Sequence, residues 1–143
     1  MKKRKLVEQI NQYMHREKEI SPFEKTVMVD FDGTIHKYSK GFHNGKVYDE
    51  PFEGAKEALE TLKNKGYKII IYTARICPGV NDDRKQQIED IKQWLDKYDI
   101  PYDDLTYKKY PADLYIDDRG YRFEGDWKNE IQTILDLLEK NIE

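Results

Sequence analysis

Two aspartates stand directly after an apolar run near the start of the chain. Residues 26–29 read Thr-Val-Met-Val, which predicts a buried strand, and Asp30-Phe31-Asp32-Gly33-Thr34 follows at once. Carboxylates at the tip of a buried strand cost free energy unless they bind something. Asp30 and Asp32 are therefore the first candidates for a reactive site.

Two further strand ends carry polar side chains. Residues 69–72 predict a second buried strand that runs into Thr73, and residues 114–116 predict another that ends in Asp117 and Asp118. In a parallel sheet, ligands bind beyond the carboxyl ends of the strands. The sequence therefore predicts that these polar side chains meet at one edge of a sheet.

A carboxylate in this position can attack phosphorus. Its ordinary pKa near ~3.9 leaves an aspartate ionised at neutral pH, so Asp30 needs no base. Because the phosphate is also an anion, a divalent cation is needed to remove the repulsion between them. Hard oxygen ligands suited to Mg²⁺ are offered by Asp30, the backbone carbonyl of Asp32, Asp117 and Asp118.

The remaining groups complete a phosphoryl-transfer site. Asp32 lies beside another carboxylate, so we expect it to hold a proton, give it to the leaving group and then activate water. Gly33 lets the backbone turn and brings N–H groups towards the phosphate. Thr73 can donate its hydroxyl to a phosphoryl oxygen, and Lys108 or Lys109 can supply positive charge.

The sequence segments before, between and after these strands carry apolar residues at helical spacing. This spacing predicts helices from Glu53 to Lys65, from Asp83 to Tyr98 and from Lys128 to Lys140, and a weakly amphipathic N-terminal helix from about Lys5 to Glu19. Leu105–Tyr107 predicts a short strand. The alternation of strands and helices predicts an α/β domain over residues 26–143 with a mostly parallel sheet, preceded by a helical extension over residues 1–25.

Residues 35–51 predict a short flap over the strand ends. Asn44-Gly45 is typical of a type I′ hairpin turn, and the space between Thr34 and Glu53 is too short for a helical cap domain. His36 and His43 on this flap, and Arg75 after the second strand, are candidate substrate contacts. For Arg75 a surface ion pair is an equally good interpretation.

Composition limits the classes of protein to consider. Of the 143 residues, 38% are hydrophobic and 37% are charged, which is typical of a soluble globular protein. No apolar run approaches the ~18 residues that span a bilayer, so no membrane partner is expected. The single cysteine, Cys77, excludes an internal disulfide and favours a cytoplasmic location.

At this point the motifs resemble a known family. Asp30-Phe31-Asp32-Gly33-Thr34, Thr73, Lys109 and Asp117-Asp118 are similar to the four ordered motifs of the haloacid-dehalogenase-like (HAD) phosphatase superfamily, in its small capless form. The resemblance implies a Rossmann-like three-layer sandwich, one Mg²⁺ and an aspartyl-phosphate intermediate. It implies that Asp30 is the nucleophile and Asp32 the acid and base. It also implies Thr73 and Lys109 as phosphate ligands, Asp118 as a direct metal ligand and Asp117 as a metal-site residue acting through water.

Other functions remain open from sequence. A catalytically idle HAD-fold binding module would keep the same motifs, and a phosphoacceptor signalling domain uses similar groups, although there the acidic pair comes first. The substrate is a nucleotide, a nucleic-acid end or a sugar phosphate. An open, capless site implies a large substrate or closure by another subunit, so a homo-oligomer is also a candidate partner.

Overall fold

The chain alternates strands and helices in the order that its apolar pattern predicts. The computed structural model describes residues 25–80 and 83–140. The elements are β1 (Thr26–Asp30), α1 (Ala55–Asn64), β2 (Lys68–Tyr72), α2 (Arg84–Lys97), β3 (Asp104–Thr106), β4 (Leu114–Ile116) and α3 (Trp127–Lys140), with a 3₁₀ turn at Ala74–Ile76. The predicted helix from Lys5 to Glu19 lies outside the described residues.

All four strands form one parallel sheet in the order β3-β2-β1-β4. The chain moves from β1 to β2 and β3 on one side, and β4 then pairs on the other side of β1. Such a reversal opens a crevice at the carboxyl ends of the two strands that flank it, here β1 and β4. The prediction of an α/β, Rossmann-like fold with a parallel sheet is confirmed, and Asp30 lies in this crevice.

Strands β1 and β2 form where the sequence is apolar because both of their faces are buried. Val27, Val29, Ile69 and Ile71 belong to the main core, and Met28 on the alternate face of β1 is also fully buried. The main core includes Ile91, Trp94 and Leu95 from α2 and Leu59 from α1. Burial of β1 and β2 therefore fixes the positions of Asp30 and Thr73, whereas β4 is largely exposed.

The boundaries of α1 follow from its cap residues. The helix ends in a Schellman motif, in which the Gly66 N–H donates to the Lys63 carbonyl and the Tyr67 N–H donates to the Leu62 carbonyl. Gly66 has φ +90°, a conformation that glycine adopts without strain. The helix predicted up to Lys65 is thus confirmed, with Gly66 as its C′ residue.

The flap differs from the prediction. The Gly45 N–H donates to the Phe42 carbonyl at 2.8 Å, so a turn is present, but no strand flanks it and the expected hairpin is wrong. The flap is instead anchored by side chains of the core: Gln87 Nε2 and Arg75 Nη1 donate to the Gly45 carbonyl, and Trp94 Nε1 donates to the Asp49 carbonyl. These bonds add to the antiparallel backbone pairing between His36 and Pro51 at the base of the flap.

Helix α3 forms as predicted, but its apolar side chains are largely exposed. Ile131, Leu135 and Leu138 are 43–55% exposed and Trp127 is 66% exposed. Periodicity predicts a helix because it is local, but it does not say what covers the apolar stripe. Among the described residues no helix is both long and apolar enough to cross a bilayer.

Candidate active site

Asp30 and Asp118 meet at the crevice between β1 and β4. Their side chains share a hydrogen bond, and burial together with that contact raises the pKa of Asp30 from 3.8 to about 7. Two carboxylates this close favour either a shared proton or a bound cation between them. The expectation that Asp30 has an ordinary pKa is therefore wrong for the protein by itself, and Asp30 needs a cation to be fully ionised at neutral pH.

Gly33 leaves the space that Asp118 fills. Its φ is +83°, and a Cβ at this position would lie only 2.3 Å from Asp118 Oδ2. The Gly33 N–H donates to the His36 carbonyl at 2.8 Å, which closes the loop after β1. The predicted turn is confirmed, and the close approach to Asp118 is an additional reason for glycine here.

Asp32 does not point at the same partner as Asp30. Its Oδ1 lies 2.9 Å from His36 Nδ1, and its Oδ2 accepts a hydrogen bond of 2.6 Å from Arg75 Nε. The Asp32 side chain keeps 17% of its surface exposed, whereas those of His36 and Arg75 keep 0% and 3%. The two aspartates of the first motif thus have separate environments, as distinct roles require.

Asp117 is fixed by donors on both of its oxygens. Its Oδ2 accepts from the Tyr72 hydroxyl at 2.7 Å, and its Oδ1 accepts from the N–H groups of Arg119 and Gly120. Burial acts to raise the pKa of Asp117, but these hydrogen bonds outweigh it and the pKa is lowered. Asp117 is therefore an ionised group that shapes the loop in which Asp118 lies.

Thr73 and Lys109 lie at the same edge of the sheet. The Thr73 N–H donates to the Thr106 carbonyl, and its hydroxyl oxygen accepts from the Arg75 N–H at 3.2 Å, which leaves the hydroxyl hydrogen able to donate. Lys109 Nζ lies 4.5 Å from the centre of the Tyr115 ring and helps to lower the pKa of Asp117. Lys109 and Asp117 also line one cavity of about 570 Å³.

Lys108 points elsewhere. Its Nζ lies 5.8 Å from the Tyr107 ring, and Tyr107 packs against the main core on the side of α2. Lys109 instead lies with Asp117 and Tyr115, near the end of β4. Of the two lysines left open by the sequence, the geometry favours Lys109.

The three candidate substrate contacts have different surroundings. His36 and Arg75 are buried and bond to the Asp32 carboxylate, so in this structure they hold a candidate catalytic residue instead of facing a substrate. The surface ion pair considered for Arg75 is wrong, because the pair it forms with Asp32 is an internal one. His43 is exposed and lies 5.6 Å from the Tyr48 ring on the flap, where a substrate contact stays a prediction.

Asp30 and Asp118 offer the kind of oxygen ligand that Mg²⁺ prefers in proteins. Within residues 25–80 and 83–140, no three His, Cys, Asp or Glu side chains are grouped closely enough to hold a metal ion. Mg²⁺ is commonly held by one or two carboxylates together with water and phosphate oxygens. The contact between Asp30 and Asp118 fits that pattern, and the side chains of Asp32 and Asp117 are engaged with other donors.

The shared proton predicts how Mg²⁺ affinity depends on pH. Since a metal ligand must be ionised, a proton on the Asp30–Asp118 pair competes with the metal below pH 7. We expect the association constant measured by isothermal titration calorimetry to be about tenfold lower at pH 6 than at pH 8. Equal affinities at the two pH values, or unchanged binding by Asp118→Asn, would contradict a metal site at this pair.

Comparisons with known proteins find structural matches with TM-scores under 0.5 and no family. No protein-family model matches the chain, and no curated protein matches it. It is similar to the structure of a conserved protein from Bacteroides thetaiotaomicron, with 25% identity over 78% of this chain and 89% of that chain and a TM-score of 0.46. It is also similar to a chain in the structure of the Pnkp1/Rnl/Hen1 RNA repair complex, with 25% identity, 80% and 31% coverage and a TM-score of 0.41. The latter match spans about a third of that longer chain.

Sequence reasoning missed two residues that shape the site. Tyr72 ends β2 beside Asp30 and donates to Asp117, and burial, together with the nearby carboxylates, raises the pKa of its hydroxyl so that it stays protonated. A tyrosine at the last position of a buried strand, next to a predicted acidic edge, is a usable signal for this role. Gln87 holds the flap from α2, and its position among the polar residues of the helix gave no such signal.

Proposed function

We propose that this protein is a Mg²⁺-dependent phosphomonoester hydrolase that acts through an aspartyl-phosphate on Asp30. The observation that carries the proposal is the contact between Asp30 and Asp118, which come from the ends of two different strands. Two carboxylates that face each other with a strongly raised pKa are a feature of functional sites. The resemblance of the ordered motifs to capless HAD phosphatases supports the same assignment.

In the first step, an Asp30 oxygen attacks phosphorus while the bond from phosphorus to the leaving oxygen breaks. Asp32 gives its proton to that oxygen, so the leaving group departs as an alcohol. In the second step, Asp32 takes a proton from water as the water oxygen attacks phosphorus. The bond to Asp30 then breaks, which releases phosphate and restores the Asp30 carboxylate and the protonated Asp32.

Asp30 and Asp118 would hold the cation, with the Asp32 carbonyl as a further oxygen ligand. Bound there, Mg²⁺ neutralises charge on the phosphoryl group and favours the ionised form of Asp30. Thr73 and Lys109 then bind phosphoryl oxygens from the other side, and Asp117 keeps the Asp118 loop in place through its three hydrogen bonds. Each proposed role thus falls on a residue at the carboxyl edge of the sheet.

The substrate is proposed to be a nucleotide, a nucleic-acid end or a sugar phosphate. The cavity beside Asp117 is lined by Lys109, Arg122 and three tyrosines, and it adjoins the proposed phosphoryl site through Tyr72. Its volume of about 570 Å³ suits a group of that size. We propose that the protein acts in the cytoplasm, where such phosphates are abundant.

A phosphate-release screen tests the proposal. The purified full chain is assayed with an aryl phosphate, nucleoside monophosphates, sugar phosphates and oligonucleotides that carry a terminal phosphate, each with Mg²⁺ and with EDTA. We expect Mg²⁺-dependent release from at least one of these groups. If none is hydrolysed although the protein binds Mg²⁺ and a phosphorylated ligand, the idle binding module is the better description.

A further inference from the structure

The Asp32 carboxylate is held at both of its oxygens by enclosed donors. His36 lies at Oδ1 and Arg75 at Oδ2, at 2.9 and 2.6 Å. A single hydrogen bond leaves a carboxylate free to rotate about its Cβ–Cγ bond, whereas a second donor on the other oxygen fixes its plane. His36 therefore adds an orientation that Arg75 does not supply by itself.

The protonation of the His36 ring follows from its other partner. The backbone N–H of Asp49 donates to His36 Nε2 at 3.0 Å, and a backbone amide can only donate. Nε2 therefore carries no hydrogen, and in the neutral ring the hydrogen lies on Nδ1. The bond to Asp32 thus runs from His36 Nδ1–H to Oδ1.

Aromatic packing gives the ring one orientation. His36 stacks on Phe31 with ring centres 5.4 Å apart, and the edges of Trp94 and Tyr48 meet it at 5.5 and 5.3 Å. Trp94 Nε1 also donates to the Asp49 carbonyl, which holds the residue whose N–H orients the imidazole. These contacts hold the His36 ring in one orientation. The ring in turn orients the Asp32 carboxylate, to which it is hydrogen-bonded.

We propose that His36 is a positioning residue that keeps Asp32 in the orientation for proton transfer to and from the substrate. A carboxylate has about four lone-pair sites, so the two donors leave one site on each oxygen for the transferred proton. The inference rests on the proposed function, because it assigns His36 to the step in which Asp32 protonates the leaving oxygen. His36 itself touches neither substrate nor metal.

This role predicts a dependence on the leaving group. A nitrophenolate departs without a proton, whereas an alkoxide needs the proton from Asp32 as its bond to phosphorus breaks. The ratio kcat/KM reports steps up to this departure, and kcat also includes the hydrolysis of the aspartyl-phosphate. Loss of positioning should therefore lower kcat/KM for alkyl phosphates and spare it for nitrophenyl phosphate.

The test compares variants on the two substrates with Mg²⁺ present. His36→Phe keeps the ring packing and removes the donor, and we expect kcat/KM to fall about 10- to 100-fold for an alkyl phosphate but less than about threefold for nitrophenyl phosphate. His36→Asn places an amide near the position of Nδ1 and should recover part of the alkyl activity. Leu59→Ala, which loosens the main core from α1 and removes no bond to His36 or Asp32, should leave the ratio of the two kcat/KM values unchanged.

Each outcome decides the inference. Equal losses on both substrates for His36→Phe, or a changed ratio for Leu59→Ala, would show that His36 is merely structural. If His36→Phe does not fold, ¹⁵N NMR of the wild-type imidazole decides: a proton on Nε2 instead of Nδ1 would overturn the inference. A wild type that hydrolyses neither substrate refutes the proposed function and this inference with it. If the wild type is active, an unexpected result for the variants counts against the role of His36 alone.

Discussion

Asp30→Asn should abolish Mg²⁺-dependent hydrolysis, with a loss of at least about 10³-fold in kcat, because an amide is not a nucleophile towards phosphorus. The variant keeps the shape of the side chain at the end of β1, so its hydrogen bond with Asp118 can persist. Steady-state assays on an aryl phosphate measure the loss. Acid quenching of wild type and variant with ³²P-labelled substrate measures the phosphoryl group retained on the protein.

The control for this variant is an aspartate outside the site. Asp104 is exposed at the start of β3 and accepts a local bond from the Leu105 N–H. Asp104→Asn should therefore keep both activity and labelling. An Asp30→Asn protein that retains a tenth of wild-type activity would show that phosphorus is attacked by another group, such as a metal-activated water.

Gly33→Ala should cause the second-largest loss, about 10²-fold or more in activity and a weakened affinity for Mg²⁺. The new methyl group would lie 2.3 Å from Asp118 Oδ2 and 2.9 Å from Asp118 Cγ, so the carboxylate must move away from Asp30. A displacement of about 1 Å in a catalytic group can cost about 10²-fold. Enzyme assays and calorimetric titration with Mg²⁺ measure the two effects.

A second glycine separates this clash from backbone strain. Gly54 has φ +84°, nearly the same as Gly33, but a Cβ there meets nothing within 4 Å. Gly54→Ala therefore carries similar strain, about 1 kcal/mol for a left-handed residue, without touching the site. If both variants lose the same activity at the same thermal stability, the contact with Asp118 is not what requires glycine at position 33.

The sequence alone predicted the strands and where they end. Residues 26–29 and 69–72 are apolar because β1 and β2 are buried, whereas the apolar residues 114–116 form a strand that is largely exposed. The polar residues that follow these strands mark the carboxyl edge. This information is local, since it depends on the period of the apolar residues and on the cost of burying a charge. It was enough to place Asp30, Thr73 and Asp118 at one edge.

The orientations of side chains within the site depended on contacts between distant segments. Arg75 and His36 were predicted as substrate contacts from the flap and the loop, but the structure turns both inwards onto Asp32. The pKa of Asp30 was likewise raised by burial and then by Asp118, and no local pattern around Asp30 could reveal its contact with Asp118. A titratable group responds to whatever charge folding brings within a few ångströms of it.

The flap and α3 also separate what the sequence predicted from what only the structure showed. Asn44-Gly45 favoured a hairpin, yet no strands flank this turn, and Arg75, Gln87 and Trp94 bond to the flap carbonyls. The period of α3 predicted its helix but not that Ile131 and Leu138 would stay exposed. Sequence by itself determined which elements form and which chemistry stands at their ends. Only the tertiary structure decided which donors meet which carboxylates, because hydrogen bonds and burial depend on three-dimensional proximity between segments far apart in the chain.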